Sequence, residues 1–272
     1  MEKPAPTGRS ATPRDQATRR LHRNHRPQIN GGGSGLSDPL ADLVIDTPPP
    51  DAGPSRLLTL AEVTTPLTGV RLALAAPFLT RAPRGDGHVV VDVPGWKAPE
   101  ASGWPIRTFL RSLGYDARSW GLGTNQGDVR TDVGRLHAQV VNLAERHGPV
   151  SLVGWSLGGV LSREVARRSP DAVRRVVTYG TPVVGGPAYT FVASRYDASA
   201  KEQAERAAHD EVPISVPVTA MFSRRDGIVA WRACLDRTSP HVDHVEIGSP
   251  HLAMGIDPAV WRVVADRLAR PV

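Results

Sequence analysis

One serine in this chain sits in a setting that solubility alone does not require: Gly154-Trp155-Ser156-Leu157-Gly158, with a further glycine, Gly159, directly behind. A small and apolar run, Val150 to Val153, leads in, and Leu157 to Arg168 follows with helical spacing. Glycines on both flanks allow a strand to turn sharply into a helix, because they remove Cβ atoms that would collide. At such a turn the hydroxyl projects from the top of a sheet. The Leu157 N–H, at the helix N-terminus, points towards any anion forming there. The chemistry this suits is nucleophilic attack on an acyl carbon. The competing reading is a glycine-rich connection with an incidental serine.

A serine hydroxyl is a weak nucleophile, so it needs a base, and the base needs an orienting acid. In a doubly wound sheet both follow the serine in chain order, from loops after later strands. Asp226, in SRRDGIVAW beyond an expected strand at 217–223, is placed for the acid. His251, in GSPHLAMGIDPAVW between the last strand and the last helix, is placed for the base. The competitors are less well placed. His241 and His244 fall in or at the start of a strand, His137 and His147 on a helix, and His209 in an insertion; each reads as a solvated or core histidine. Asp243, in a strand, and Asp236, on an expected helix after the loop, are the alternative acids.

An oxyanion needs a second donor, expected after the strand at 88–93, in Val93-Pro94-Gly95-Trp96. Pro94 has no N–H, Gly95 permits close approach, and the Trp96 amide is therefore the candidate; the alternative is an ordinary strand-ending turn. Gly95 and Trp155 are expected to line a substrate pocket. Trp96, Trp104 and Trp155 serve equally as acyl-pocket walls or as core. The Trp120–Gly127 loop either borders the site or is a structural turn.

The elements that must position these groups are readable around them. HVVVDV (88–93), YDARSWGL (115–122), VSLVGW (150–155), AVRRVVTYG (172–180), PVTAMFS (217–223) and HVDHVEIG (241–248) read as strands. Residues 103–113, 128–147, 157–168 and 258–270 read as helices, the last with Asp257 near its cap. Residues 56–79 carry a further helix, interrupted or ended by Pro66 and Pro77. Strands alternating with helices from about residue 88 onward predict an α/β fold with a doubly wound, mostly parallel sheet. Residues 182–216 are too long for a simple connection and read as a lid-like insertion.

Charge is unevenly distributed. Residues 1–35 carry seven basic against two acidic side chains, +5 of the formal net charge of +6. That segment holds few large apolar residues and is expected to be a disordered basic arm. Residues 36–79 read as a proline-rich approach with the N-terminal helix, and 80–272 as the catalytic domain. A nucleic-acid partner would rest on the arm alone. No apolar stretch of a secretory signal stands near the N-terminus, and runs such as LALAAPFL are short of a span, so no transmembrane segment is expected and the chain reads as cytoplasmic. The single cysteine, Cys234, excludes an internal disulfide. No close His/Asp cluster has metal-ligand spacing, so neither metal nor cofactor is expected.

VPGW, GWSLGG, SRRDGIVAW and the late His251 together resemble the α/β-hydrolase superfamily in its esterase/lipase-like branch. PRGDGHVVVDVPGW, YDARSWGLGTNQG, VSLVGWSLGGVLSREVARR and FSRRDGIVAWRACL are similar to bacterial chains labelled α/β hydrolase or triacylglycerol lipase. The resemblance covers about residues 80–270. It implies Ser156 as nucleophile, His251 as base, Asp226 as orienting acid, and the Trp96 and Leu157 amides as an oxyanion hole. Pro94 departs from the pattern, since many members carry histidine before the glycine. The expected activity is cleavage of a small-molecule or lipid carboxylic ester through an acyl-serine. Acyl transfer to another acceptor, or thioester cleavage, would use the same residues; a non-catalytic binding module of this fold would have no need of them. Acyl length, alcohol and oligomeric state are left open by the sequence.

Overall fold

The computed structural model describes residues 53–183, 190 and 212–272. The basic arm (1–35), residues 36–52 of the approach segment and nearly all of the expected insertion, 184–189 and 191–211, lie outside the described residues.

Among the described residues, six strands form one sheet in the order β2-β1-β3-β4-β5-β6. They are β1 (Val89–Val93), β2 (Asp116–Ser119), β3 (Val150–Trp155), β4 (Val173–Tyr179), β5 (Val218–Phe222) and β6 (Val242–Glu246). Every neighbouring pair is parallel. All six expected strands are present, the second shorter than the 115–122 expected because the chain turns away at Trp120.

Helices α1 (Arg56–Ala61), α2 (Thr65–Leu79), α3 (Trp104–Ser112), α4 (Val129–His147), α5 (Leu157–Arg168) and α6 (Pro258–Leu268) flank the sheet. Alternate strand residues feed two cores. Val90, Val153, Val177 and Met221 meet α3 and α6 on one face. Val89, Val91, Leu152 and Val176 meet α4 and α5 on the other. Burial on both faces is why these strands read as continuous apolar runs. Local signals set the helix ends. Asp128 accepts the Thr131 N–H (3.2 Å) at the start of α4, and Asp257 accepts the Ala259 N–H (2.7 Å) at the start of α6.

The 56–79 segment is interrupted ahead of Pro66, as expected: α1 ends at Ala61, and Pro66 stands in the first turn of α2, where its missing N–H costs nothing. Pro77 departs from expectation, since it lies inside α2, which continues to Leu79. A short 3₁₀ turn, Glu62–Thr64, joins α1 to α2. As a result Leu57–Leu79 is a stretch of 23 residues long and apolar enough, by length and composition only, to cross a membrane. Taken one by one, its apolar runs are short of a span, and only the joined stretch reaches that length. In the fold this stretch is docked, with Glu62, Thr68 and Leu79 buried.

Because the strands are parallel, the C-terminal ends of β1, β3, β4, β5 and β6 share one sheet edge. The chain visits β2 on one side of β1 and then β3 on the other, so the edge between β1 and β3 is the topological switch point, where open α/β sheets place their ligands.

Candidate active site

Ser156 links the end of β3 to the start of α5 with φ +53° and ψ −121°. Side chains other than glycine rarely enter this region, and such strain costs on the order of 1–3 kcal/mol. The bend is held by the Ser156 N–H donating to the Tyr179 carbonyl (2.9 Å) and the Gly159 N–H donating to the Ser156 carbonyl (3.0 Å). Its flanking glycines are required by contact. A Cβ on Gly154 would stand 2.5 Å from the Gly159 Cα, one on Gly158 2.2 Å from the Val93 carbonyl oxygen, and one on Gly159 2.0 Å from Thr181 Oγ1.

Asp226 and His251 are brought together. His251 Nδ1 lies 2.7 Å from Asp226 Oδ2, and both side chains are buried. The other oxygen, Asp226 Oδ1, accepts the N–H groups of Ile228 (2.8 Å) and Val229 (2.7 Å), which fixes the carboxylate. The imidazole also packs on the residue preceding the serine, its ring centroid 5.6 Å from that of Trp155. Gly180, at φ +58° after β4, makes room for it: a Cβ there would stand 2.8 Å from His251 Nδ1.

The turn after β1 abuts the serine. A Cβ on Gly95 would lie 3.3 Å from the Ser156 Cβ and 3.1 Å from the Trp155 ring. Leu157 is the first residue of α5. Trp96 is half exposed, beside Gly127, where a Cβ would fall 2.9 Å from its indole. The Trp120–Gly127 loop is stitched to this turn by buried Asn125. Its amide donates to the Pro94 carbonyl (2.8 Å), and its own carbonyl accepts the Lys97 N–H (2.7 Å). Trp104 is exposed rather than core.

The rival groups are engaged elsewhere. Asp236 follows a short 3₁₀ turn, Trp231–Cys234, rather than lying on the expected helix. It is buried in an ion pair with Arg163, and its carboxyl is held well below the usual range because the guanidinium and the Ser239 and Thr238 N–H groups outweigh burial. His244 Nε2 accepts the Asp236 N–H (3.0 Å), and burial lowers that imidazole's pKa. Asp243 pairs with Arg267, and His137 meets Ser169. Cys234 is buried and its thiol is pushed up by burial. Among the described residues no group of three or more His, Cys, Asp and Glu side chains is arranged to hold a metal ion.

Sequence reasoning missed Glu62. From the 3₁₀ turn between α1 and α2 its buried carboxylate reaches both loops of the Asp226–His251 pair. Oε1 accepts the N–H groups of Gly227 (3.0 Å) and His251 (2.8 Å), and Oε2 accepts that of Leu252 (2.8 Å). The only signal for it was a lone acidic residue in the apolar stretch LTLAEVTTPL.

No protein-family profile matches the chain. Solved structures do. Alpha/beta hydrolase domain-containing protein 10 from mouse aligns with a TM-score of 0.50 at 21% identity, over 69% of this chain and 90% of that one. An alpha/beta superfamily hydrolase from Oenococcus oeni aligns at 0.51 and 14% identity, over 68% and 94%. A structure of the metagenome-derived lipolytic enzymes LipS and LipT aligns at 0.51 and 16% identity, over 68% and 93%. Among curated proteins, the biotin biosynthesis bifunctional protein BioHC of Teredinibacter turnerae is 29% identical over 119 residues; the match spans 39% of this chain and only 20% of that protein.

Proposed function

Because this chain has the α/β-hydrolase fold, we propose that it is a serine hydrolase that cleaves carboxylic esters through an acyl-Ser156 intermediate. The observation that carries this reading is the buried contact between His251 Nδ1 and Asp226 Oδ2 (2.7 Å), on loops at the sheet edge where the strained Ser156 also stands. An aspartate held on Nδ1 fixes the tautomer that leaves Nε2 free to accept a proton. The lipolytic activity named for LipS and LipT is consistent with the ester class.

In the proposed reaction His251 Nε2 removes the Ser156 proton as Oγ attacks the ester carbonyl carbon. The carbonyl π pair moves onto oxygen, where the Leu157 and Trp96 N–H groups are the proposed donors. Collapse expels the alcohol, which leaves with the proton from His251. Water then attacks the acyl-serine, giving its proton to the same nitrogen, and the acid is released as Ser156 regains it. Asp226 orients the imidazole and stabilises the imidazolium that forms. Gly95 and Trp155, beside the serine, are the proposed pocket residues.

The test is turnover of a short p-nitrophenyl ester. Ser156→Ala should lower kcat by on the order of 10⁴ to 10⁶ with unchanged folding; turnover at the parental rate would reject the assignment.

A further inference from the structure

We infer that the α1–α2 helical segment is a docking surface for an anionic lipid bilayer, lying in the plane of the membrane beside the candidate site. Leu57, Leu60, Val63, Leu67, Val70, Leu74 and Phe78 are each between 59% and 79% exposed. They recur every three or four residues, so they form one apolar line along a segment that, at about 1.5 Å per residue, runs about 35 Å. Large apolar side chains this exposed and this contiguous mark a surface that meets a partner.

The opposite side of the same segment belongs to the domain. Thr68 and Leu79 are buried, the Thr59 hydroxyl donates to the Gly227 carbonyl (3.0 Å), and Glu62 is committed to three backbone N–H groups. A spanning orientation would strip these contacts away. An in-plane one keeps them and buries the exposed line.

Charge selects a lipid surface over a second copy. Residues 53–84 contain four arginines, Arg56, Arg71, Arg81 and Arg84, and one acid, Glu62. That acid is buried, and Arg71 is paired with Asp257 (3.4 Å). Arg81 sits at the end of the line, its guanidinium 5.9 Å from the Phe78 ring. A second copy set on this line would bring its own arginines and, its one acid being buried, no carboxylate of this segment to meet Arg81 and Arg84, whereas anionic headgroups would neutralise them. The apolar surface also continues to the site: Leu252, next to His251, is 47% exposed and its N–H is held by Glu62. If Ser156 is an esterase nucleophile, and this clause alone rests on that reading, docking brings it to the phase in which long-chain esters reside.

The experiment is co-sedimentation of the full chain with vesicles of equal parts phosphatidylcholine and phosphatidylglycerol. It compares the parent with a triple variant, Leu67→Gln, Val70→Gln and Leu74→Gln, alongside turnover of a short soluble ester and the mass in solution. The parent should bind, the variant should bind at least about tenfold more weakly, and soluble-ester turnover should stay within about twofold. Equal binding by the two proteins would overturn the inference and assign the attraction to the basic residues before 53. A parent that ignores vesicles would also overturn it, including one that forms a dimer the variant loses. Absence of ester turnover in both proteins would count against the hydrolase reading while leaving the sedimentation result decisive for docking.

Discussion

Replacing Glu62 with glutamine removes a charge without changing shape, at a side chain that touches no proposed reacting atom. The carboxylate accepts N–H groups from Gly227 (3.0 Å), His251 (2.8 Å) and Leu252 (2.8 Å). A glutamine has one acceptor oxygen and a donor NH₂. With the oxygen in the place of Oε1, the bonds to Gly227 and His251 survive without charge assistance, and the NH₂ faces the Leu252 N–H, donor against donor. Hydrogen bonds to a charged group contribute about 1.5–3 kcal/mol each, and an unsatisfied buried donor costs about 1–3 kcal/mol. Glu62→Gln should therefore lower unfolding stability by about 2–4 kcal/mol. The two loops it clamps carry Asp226 and His251, and a displacement of about 1 Å at such a site can cost about 10²-fold in rate. We expect kcat on a short ester to fall by about 10- to 100-fold with KM within about threefold. Urea unfolding and steady-state kinetics at several pH values measure both. A variant with the parental unfolding midpoint and kcat would contradict this clamping role of Glu62. Lost stability with parental kcat and an unchanged pH profile would leave Glu62 purely structural.

The other predictions concern the groups around the pair. Gly180→Ala places a Cβ 2.8 Å from His251 Nδ1 and 3.0 Å from Met254 Sδ at φ +58°, so kcat should drop at least about tenfold and stability by about 1–2 kcal/mol; parental kinetics would contradict the packing. Asp226→Asn should lower kcat by on the order of 10⁴ with a modest change in Tm, whereas Asp236→Asn, which strands buried Arg163, should cost about 3–5 kcal/mol and leave kcat of the folded fraction within about threefold. The reverse pattern would exchange the two acids. Burial raises Asp92 to about 6, although Arg107 lies 2.8 Å away. Its unfolded value is about 3.9, so between about pH 4 and 6 the folded state binds the extra proton and loses stability as pH rises. The stability of the parent relative to Asp92→Asn should accordingly decline by about 3 kcal/mol from pH 4 to 7 and then level; parallel denaturation curves would contradict it.

The strands and the order of the candidate residues were legible because their signals are local. Val89–Val93 is buried on both faces and so reads as an unbroken apolar run, and a serine between glycines announces a turn in which a Cβ would strike the next helix. Asp226 and His251 were findable because parallel topology forces every loop that follows a strand to the same edge. Glu62 was not. Its partners stand 165 and 189 residues further along the chain, and nothing near it in sequence encodes them. Asn125 was hidden for the same reason, as a loop polar residue whose partners, Pro94 and Lys97, belong to another loop. The interruption ahead of Pro66 was legible because a proline has no N–H with which to continue α1, whereas Pro77 is carried inside α2 by the turns around it. The exposed apolar line was not legible, since it takes shape only when the two helical pieces run on.

Covalent labelling with a fluorophosphonate probe, mapped by mass spectrometry, tests most directly whether the His251–Asp226 pair activates Ser156. A single adduct on Ser156 is expected, absent from Ser156→Ala and formed at least about 10³-fold more slowly in His251→Ala. An adduct on another residue, or labelling of His251→Ala at the parental rate, would contradict it.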